Sequence, residues 1–256
     1  MILITNDDGI FARGIVSLAR AMAELDEVLV VAPDRERSTV GHAITVRRPL
    51  SLWPIEVGPY PEGVRAFACD GTPADCVILA LGGAIEDVGD VSLVLSGINC
   101  GANLGDEITY SGTVAAAIEA SLFGVPSVAL SLAVGDEGLF NFAGAAERAV
   151  ELIETIREIK MPPKTFLNVN FPDLPSPSIR GFLVTKKGTK LYKGKITPLC
   201  DPKGRRYYWI GGTAEEHLEE GSDVWAVANG YVSVTPINLD MTDYAFMKPL
   251  GEMLAR

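Results

Sequence analysis

An apolar run, Met1-Ile2-Leu3-Ile4, gives way within nine residues to Thr5-Asn6-Asp7-Asp8-Gly9. Two adjacent carboxylates repel each other and tend to raise one pKa, so a shared hard cation is a natural way to keep both ionised. Asn, Asp and Gly are also ordinary turn formers after a strand. Three further polar loops follow: Pro33-Asp34-Arg35-Glu36-Arg37-Ser38-Thr39-Val40-Gly41-His42, Ser96-Gly97-Ile98-Asn99-Cys100-Gly101-Ala102-Asn103-Leu104-Gly105-Asp106, and Tyr110-Ser111-Gly112-Thr113. Hydroxyl, amide and carboxylate oxygens are the ligands that Mg²⁺, Mn²⁺ or Ca²⁺ accepts, so Ser38 and Asn99 can complete a site begun by Asp7 and Asp8. The Ser111-Gly112-Thr113 entrance to a small-residue helix offers backbone N–H groups and the positive end of a helix dipole, which suit a phosphate. Each element alone has a plainer reading as a cap, turn or loop residue. Their placement at successive strand ends points to phosphate chemistry beside a cation.

Such a crevice requires a parallel sheet, because open α/β sheets bind ligands beyond the carboxyl ends of their strands. The first half of the chain alternates strand-like and helix-like segments, the pattern of a doubly wound α/β fold with helices on both faces. Residues 15–25 read as a helix, with Ile15, Leu18, Ala19, Met22 and Leu25 near helical spacing. Residues 28–32 are an unbroken apolar run, the mark of a strand covered on both faces, and 91–95 and 127–132, interrupted only by serines, look the same. Residues 44–53 and 64–68 are expected to add strands, and Thr72-Pro73-Ala74-Asp75 opens a capped helix. Phe142, Ala146, Ala149, Ile153 and Ile156 predict a long amphipathic helix stopped by Met161-Pro162-Pro163, and the sheet continues through 166–169.

The 256 residues, 48% hydrophobic and 21% charged, fit a soluble globular α/β protein with a sizeable core. A net charge of −11 disfavours nucleic acid as the main ligand, because non-specific affinity for it comes from basic residues. Cys69, Cys76, Cys100 and Cys200 lack metal-binding spacing and read as reduced thiols. With only His42 and His217, a histidine-rich metal site or a Ser-His-Asp triad has almost nothing to work with. Asp7 and Asp8 interrupt any signal-peptide core, and the longest uncharged run, 120–135, is too short for a bilayer, so a cytoplasmic protein is expected. Between 180 and 206, nine basic residues stand against Asp201, with Tyr192, Gly, Pro and Thr interspersed. This reads as a projecting β-hairpin arm, solvated or in contact with another subunit.

Taken together, Asn6-Asp7-Asp8-Gly9, the Ala32-Pro33 loop with Ser38, Gly71-Thr72-Pro73-Ala74-Asp75-Cys76, Ser96-Gly97-Ile98-Asn99, Gly101-Ala102-Asn103-Leu104-Gly105-Asp106 and Tyr110-Ser111-Gly112-Thr113-Val114-Ala115-Ala116-Ala117 resemble the survival protein SurE family of nucleotidases. The match in order and spacing runs to about residue 135. The resemblance implies a Rossmann-like core and a metal-dependent phosphatase acting on nucleoside monophosphates. It implies Asp7, Asp8, Ser38 and Asn99 as ligands of one divalent cation, Mg²⁺ or Mn²⁺, with Ca²⁺ able to occupy the site. It further implies a homodimer or homotetramer built by exchanging carboxyl-terminal arms. The basic hairpin and the tail 236–249, including Asp240, Thr242 and Asp243, would then be subunit contacts. The chain is expected to be a single domain over 1–256, with its core at about 1–175 and the arm and exchange region at about 176–256. One departure is visible: Thr39 stands where the family usually has Gly, and Thr does not readily accept positive φ.

The expected reaction is hydrolysis of nucleoside 5′- and 3′-monophosphates, an acid-phosphatase-like phosphomonoesterase activity. Asp7 and Asp8 are the catalytic and ligand acids, and Asp8, farther beyond the strand, is the better acceptor of the water proton. Asn103, Ser111, Gly112 and Thr113 would cradle the phosphate, Asp106 would orient a neighbouring loop, and His42 reads as structural. A phosphoaspartyl phosphatase fits less well, because its acids are usually spaced Asp-x-Asp. A non-catalytic nucleotide or anion sensor is the alternative of another class, and would bind nucleoside monophosphates without releasing phosphate. An RNA-binding protein acting through 186–206 is a third, and predicts steeply salt-dependent association.

Overall fold

The structure, a computed structural model, describes residues 1–135 and 138–255, with the side chains of 191–193 and 213–214 also outside the described residues. Tyr192 of the expected arm is among those side chains. The chain begins with β1 (Ile2–Thr5), α1 (Arg13–Met22), β2 (Val28–Pro33), β3 (Leu52–Pro54), β4 (Arg65–Cys69) and α2 (Pro73–Leu81). It continues through β5 (Leu93–Cys100), α3 (Gly112–Leu122), β6 (Ser127–Ala133), α4 (Phe142–Ile156) and β7 (Thr165–Pro172). The last third contains β8 (Phe182–Val184), β9 (Thr189–Cys200), β10 (Arg206–His217), α5 (Asp223–Ala228), β11 (Val232–Asn238) and α6 (Tyr244–Leu254).

Among the described residues one sheet runs in the order β3-β4-β2-β1-β5-β6-β7-β11-β8. The stretch from β4 to β7 is parallel, while β3 pairs antiparallel with β4 and β11 with β7. The chain winds outward from β1 in both directions, so the β1–β5 boundary is the topological switch point where such sheets open a crevice. Every residue of β1 and β2 is buried, which explains their unbroken apolar runs. On one face α1 and α4 bury Ile15, Leu18, Met22 and Ala149; on the other α2 and α3 bury Val77, Ala116 and Ala120. A fully buried Ile or Leu contributes about 1.5–3 kcal/mol. α2 starts where Thr72 accepts from Asp75 N at 3.1 Å and Asp75 accepts from Thr72 N at 2.9 Å, a reciprocal capping box with Pro73 at the first helical position.

Several expectations need correcting. The strand expected over 44–53 shrinks to β3, because the backbone before it bonds to the start of α2: Thr45 N donates to Asp75 Oδ1 at 2.8 Å, and Thr72 Oγ1 donates to Ala43 O at 2.7 Å. Residues 96–100 are not loop but the end of β5, which carries one extra residue against β6 between Ser96 and Asn99. This irregularity re-aims Asn99, as bulges near active sites do. Gly97 makes it possible: its φ is +142°, and a Cβ there would lie 2.2 Å from Leu130 O. The sheet does not stop near residue 175, since β8 and β11 complete it. Within the tail, Pro236–Asn238 pair with Leu167–Thr165 in the main sheet, so only the residues after Asn238 are left for other contacts.

The arm is present as a separate antiparallel pair, β9 with β10, running from Thr189 opposite His217 to Cys200 opposite Arg206. Tyr207, Tyr208, Trp209 and Ile210 are exposed along it, and α6 buries none of its residues. No described helix is long and apolar enough to cross a membrane.

Candidate active site

β1, β2 and β5 are adjacent and parallel, so the segments leaving their carboxyl ends share one edge. Beyond β1, Asn6 folds the chain back on itself. Its Nδ2 donates to Gly9 O at 3.0 Å and its Oδ1 accepts from Gly9 N at 3.2 Å, an Asx clamp that sets Asp7 and Asp8 at the bend. Asp7 is only 4% exposed, and its Oδ1 accepts a hydrogen bond from the Thr113 hydroxyl at the start of α3. The Asp7 carbonyl accepts from Arg37 N at 2.7 Å, which fastens the Ser38 loop beside it. Asp8 is half-buried, and its Oδ2 accepts from Cys100 N at 2.9 Å, next to Asn99. The two acids thus touch, in turn, the helix and the strand end that the sequence placed in the same crevice.

Ser38 is exposed and its hydroxyl donates to Glu36 Oε1 at 2.7 Å. Asn99 Nδ2 donates to Gly101 O at 2.9 Å, which leaves Oδ1 as the ligand end of that amide. Ser111 is the N-cap of α3, its Oγ accepting from Val114 N at 3.1 Å. Gly112 lies against Asp7 so closely that a Cβ would sit 2.9 Å from Asp7 Cβ and 3.0 Å from Asp7 Oδ2. The positive end of the α3 dipole therefore adjoins the paired acids.

Two residues expected in the phosphate cradle are engaged elsewhere. Thr113 turns its hydroxyl onto Asp7 because the side chain is fully buried and the carboxylate is the acceptor within reach. Asn103 faces inward: Nδ2 donates to Ser131 Oγ at 2.8 Å, and its main-chain N and O bond to Asn168 and Asn170 of β7. His42 Nε2 lies 2.7 Å from Glu119 Oε2, a contact that ties the Ser38 loop to α3, as a structural histidine would. Asp106 does orient a neighbour, accepting from Lys187 Nζ at 2.6 Å and Lys190 N at 3.2 Å at the foot of the arm. Thr39 has a φ of +57°, the left-handed conformation that Gly adopts freely and Thr does not.

Burial pushes Asp7 up to about 6; the Thr113 hydrogen bond opposes this, and the neighbouring Asp8 charge adds to it. Burial also raises Asp8, against the Cys100 N–H and together with the nearby Glu36 charge. Glu36 and the Cys100 backbone are the parts of the site that sequence reasoning missed; only the position of Glu36 two residues before Ser38 hinted at the first. Among the described residues no three His, Cys, Asp or Glu side chains group as a metal site, so a cation here must also use neutral oxygens. Two carboxylates, a hydroxyl and an amide oxygen on one edge make an all-oxygen set that fits a hard divalent ion. The desolvated acid pair fits it for the same reason, since positive charge relieves both burial and mutual repulsion.

The profile of the survival protein SurE family matches residues 2–194. Among curated relatives, the 5′-nucleotidase SurE of Geotalea daltonii is 51% identical over 245 residues, covering 95% of this chain and 94% of its own. The 5′-nucleotidase SurE 1 of Thermus thermophilus is 47% identical over 253 residues, covering 99% and 97%. Among solved structures, the SurE protein from Aquifex aeolicus matches with a TM-score of 0.83 and 43% identity, covering 98% of both chains.

Proposed function

This chain belongs to the survival protein SurE family, and from that premise we propose that its paired acids serve a metal-dependent nucleotidase hydrolysing nucleoside 5′- and 3′-monophosphates to nucleoside and phosphate. It is a phosphoric monoester hydrolase, and a non-catalytic sensor is not favoured, because the curated relatives are nucleotidases. The observation that carries the site assignment is the contact of Asp7 with the start of α3: a buried carboxylate and a helix N-terminus meet at the switch point of the sheet.

Asp7, Asp8, Ser38 and Asn99 would hold one divalent ion, Mg²⁺ or Mn²⁺, with Ca²⁺ also suited to the oxygen set. When bound there, the ion supplies Lewis-acid chemistry, polarising the phosphoryl group and acidifying water. Ser111 and Gly112 present the N-terminus of α3 to the phosphate oxygens, where backbone N–H groups and the dipole favour the charge that develops during transfer. Thr113 holds Asp7 in place, and Asn103 sets the preceding loop. Asp8, more exposed than Asp7, accepts the proton from attacking water as the new P–O bond forms, and returns that proton to the departing alkoxide as the ester P–O bond breaks, so the products are nucleoside and phosphate and Asp8 is again ionised. The exposed aromatics of the arm and the unburied α6 support a homodimer or homotetramer built through these elements. Sparse cysteines, among which Cys69 and Cys76 are buried free thiols, suit the cytoplasm.

The test is inorganic phosphate release from a panel of nucleoside 5′- and 3′-monophosphates, in EDTA and with Mg²⁺ or Mn²⁺, for wild type and Asp8→Asn. Metal-dependent release that collapses in the variant is expected. Folded wild-type protein that releases no phosphate with either metal would refute the assignment.

A further inference from the structure

Between Asn99 and Ser111 runs a loop that the structure grips from two sides. On one side β7 holds it: Asn103 N donates to Asn170 Oδ1 at 2.8 Å, and Asn103 O accepts from Asn168 Nδ2 at 2.8 Å and Asn170 Nδ2 at 3.1 Å. On the other stands Asp223, the first residue of α5, with a fully buried carboxylate. Its Oδ2 accepts from Gly105 N at 3.0 Å, and its Oδ1 accepts from Gly188 N and Val224 N, each at 2.8 Å. Gly188 immediately precedes β9, so one carboxylate joins the loop, the foot of the arm and the core.

The junction leaves no room for side chains. Gly105 has φ +54° and a Cβ there would lie 2.8 Å from Lys190 N; a Cβ on Gly188 would lie 2.7 Å from Asp223 Oδ1. Lys190 adds a partly buried bridge, its Nζ lying 3.0 Å from Glu107 Oε2 on the loop and 3.1 Å from Glu216 Oε1 on β10. From Gly105 a short 3-10 turn, Gly105–Thr109, carries the chain to Tyr110. Tyr110 N donates to Glu107 O at 3.0 Å, and Tyr110 O accepts from Gly41 N of the Ser38 loop at 3.1 Å. Ser111 follows directly.

We infer that Asp223 is a positioning residue for the phosphate cradle: it fixes the loop that ends at Ser111 to the base of the arm. The inference rests on the nucleotidase reading above. Capping α5 does not account for Asp223, because Ser222 already caps that helix, its Oγ accepting from Trp225 N at 3.2 Å. Replacing Asp223 by Asn keeps the shape but turns an NH₂ toward N–H groups that need an acceptor, so either Gly105 or Gly188 must move. Because coupling between two sites is reciprocal, phosphate held at Ser111 must in turn steady the foot of the arm.

The experiment compares wild type, Asp223→Asn and Ser222→Ala in Mn²⁺-dependent phosphate release, in inhibition by inorganic phosphate and in Mn²⁺ affinity, below each protein's unfolding midpoint. For Asp223→Asn, kcat is expected to fall on the order of 10- to 100-fold, the scale of an ångström-sized misplacement. Phosphate inhibition should weaken with it while Mn²⁺ affinity holds. Ser222→Ala should lower the unfolding midpoint and keep kcat. Wild-type kcat in Asp223→Asn, or an equal loss of kcat in Ser222→Ala, overturns the proposal. Should Asp223→Asn not fold, hydrogen exchange on wild type decides: adding inorganic phosphate with Mn²⁺ should slow exchange at 104–110 and at 186–190, and unchanged exchange at 186–190 overturns it. A wild-type protein that releases no phosphate refutes the nucleotidase reading itself, and this inference with it.

Discussion

Replacing Thr113 by Val removes one hydroxyl from the most buried part of the site and keeps the shape of the side chain. The lost contact is the Thr113 donation to Asp7 Oδ1, between a fully buried residue and a carboxylate 4% exposed. A hydrogen bond to a charged group contributes roughly 1.5–3 kcal/mol, and each 1.4 kcal/mol is about tenfold in an equilibrium constant. The ionised form loses this support and the protonated form loses far less, so Asp7, already pushed up to about 6, binds its proton more tightly still. Metal binding requires the ionised acid and competes with that proton. Mn²⁺ affinity in the variant should therefore be roughly tenfold weaker near about pH 6, and the deficit should vanish by about pH 9, where Asp7 is ionised in both proteins. Free Mn²⁺ measured by electron paramagnetic resonance across this range reads the effect directly. A deficit of equal size at both ends, or none at either, would refute the argument that Thr113 acts by setting the charge state of Asp7.

Four further outcomes are expected. Asp7 has a folded pKa of about 6 against an ordinary 3.8, so the metal-free fold holds its proton where the unfolded chain does not. That stabilisation, about 3 kcal/mol, is complete below about pH 4 and is lost as pH rises through about 6; urea unfolding in EDTA should show this slope in wild type and lack it in Asp7→Asn. Thr39→Gly should stabilise by up to about 1 kcal/mol by relieving the left-handed backbone, so a clear loss of stability in thermal unfolding would count against strain at that position. Gly97→Ala should destabilise by more than about 3 kcal/mol, or prevent folding, because its Cβ would collide with Leu130 O; a midpoint close to wild type would contradict this. Thr72→Ala should cost about 1 kcal/mol through loss of the α2 capping box without changing kcat, and steady-state kinetics beside a melting curve separate the two effects.

What was legible in the sequence was what local chemistry dictates. Apolar runs, interrupted in β6 only by serines, marked β1, β2 and β6 because those strands are covered on both faces, and Thr72-Pro73-Ala74-Asp75 marked α2 because its cap is built within four residues. The Asp7-Asp8 bend and the Ser111 cap were readable for the same reason. Less legible were features set by distant partners. Thr113 looked like a phosphate ligand until Asp7, 106 positions earlier, took its hydroxyl. Asn103 read as part of the phosphate cradle, yet Asn168 and Asn170 draw it inside. The end of β5 passed for loop because a serine, a glycine and an asparagine occur in it, although it is strand and carries the extra residue before Asn99. Residues beyond 175 read as appendage because short strands such as β8 carry little periodicity of their own.

The order of elements in the sheet has a consequence for how the protein is made. Asp7 and Asp8 leave the ribosome well before the residues that fix them, because β1 sits between β2 and β5, and β5 emerges about ninety residues later. The backbone N–H that fixes Asp8 belongs to Cys100, and the hydroxyl that fixes Asp7 belongs to Thr113. Until α3 has been synthesised the two acids are neighbours in the chain without a place to stand, and a nascent chain arrested before that point should not capture a divalent ion. A site able to hold the ion therefore forms only after α3 is made, a timing imposed by non-local strand pairing.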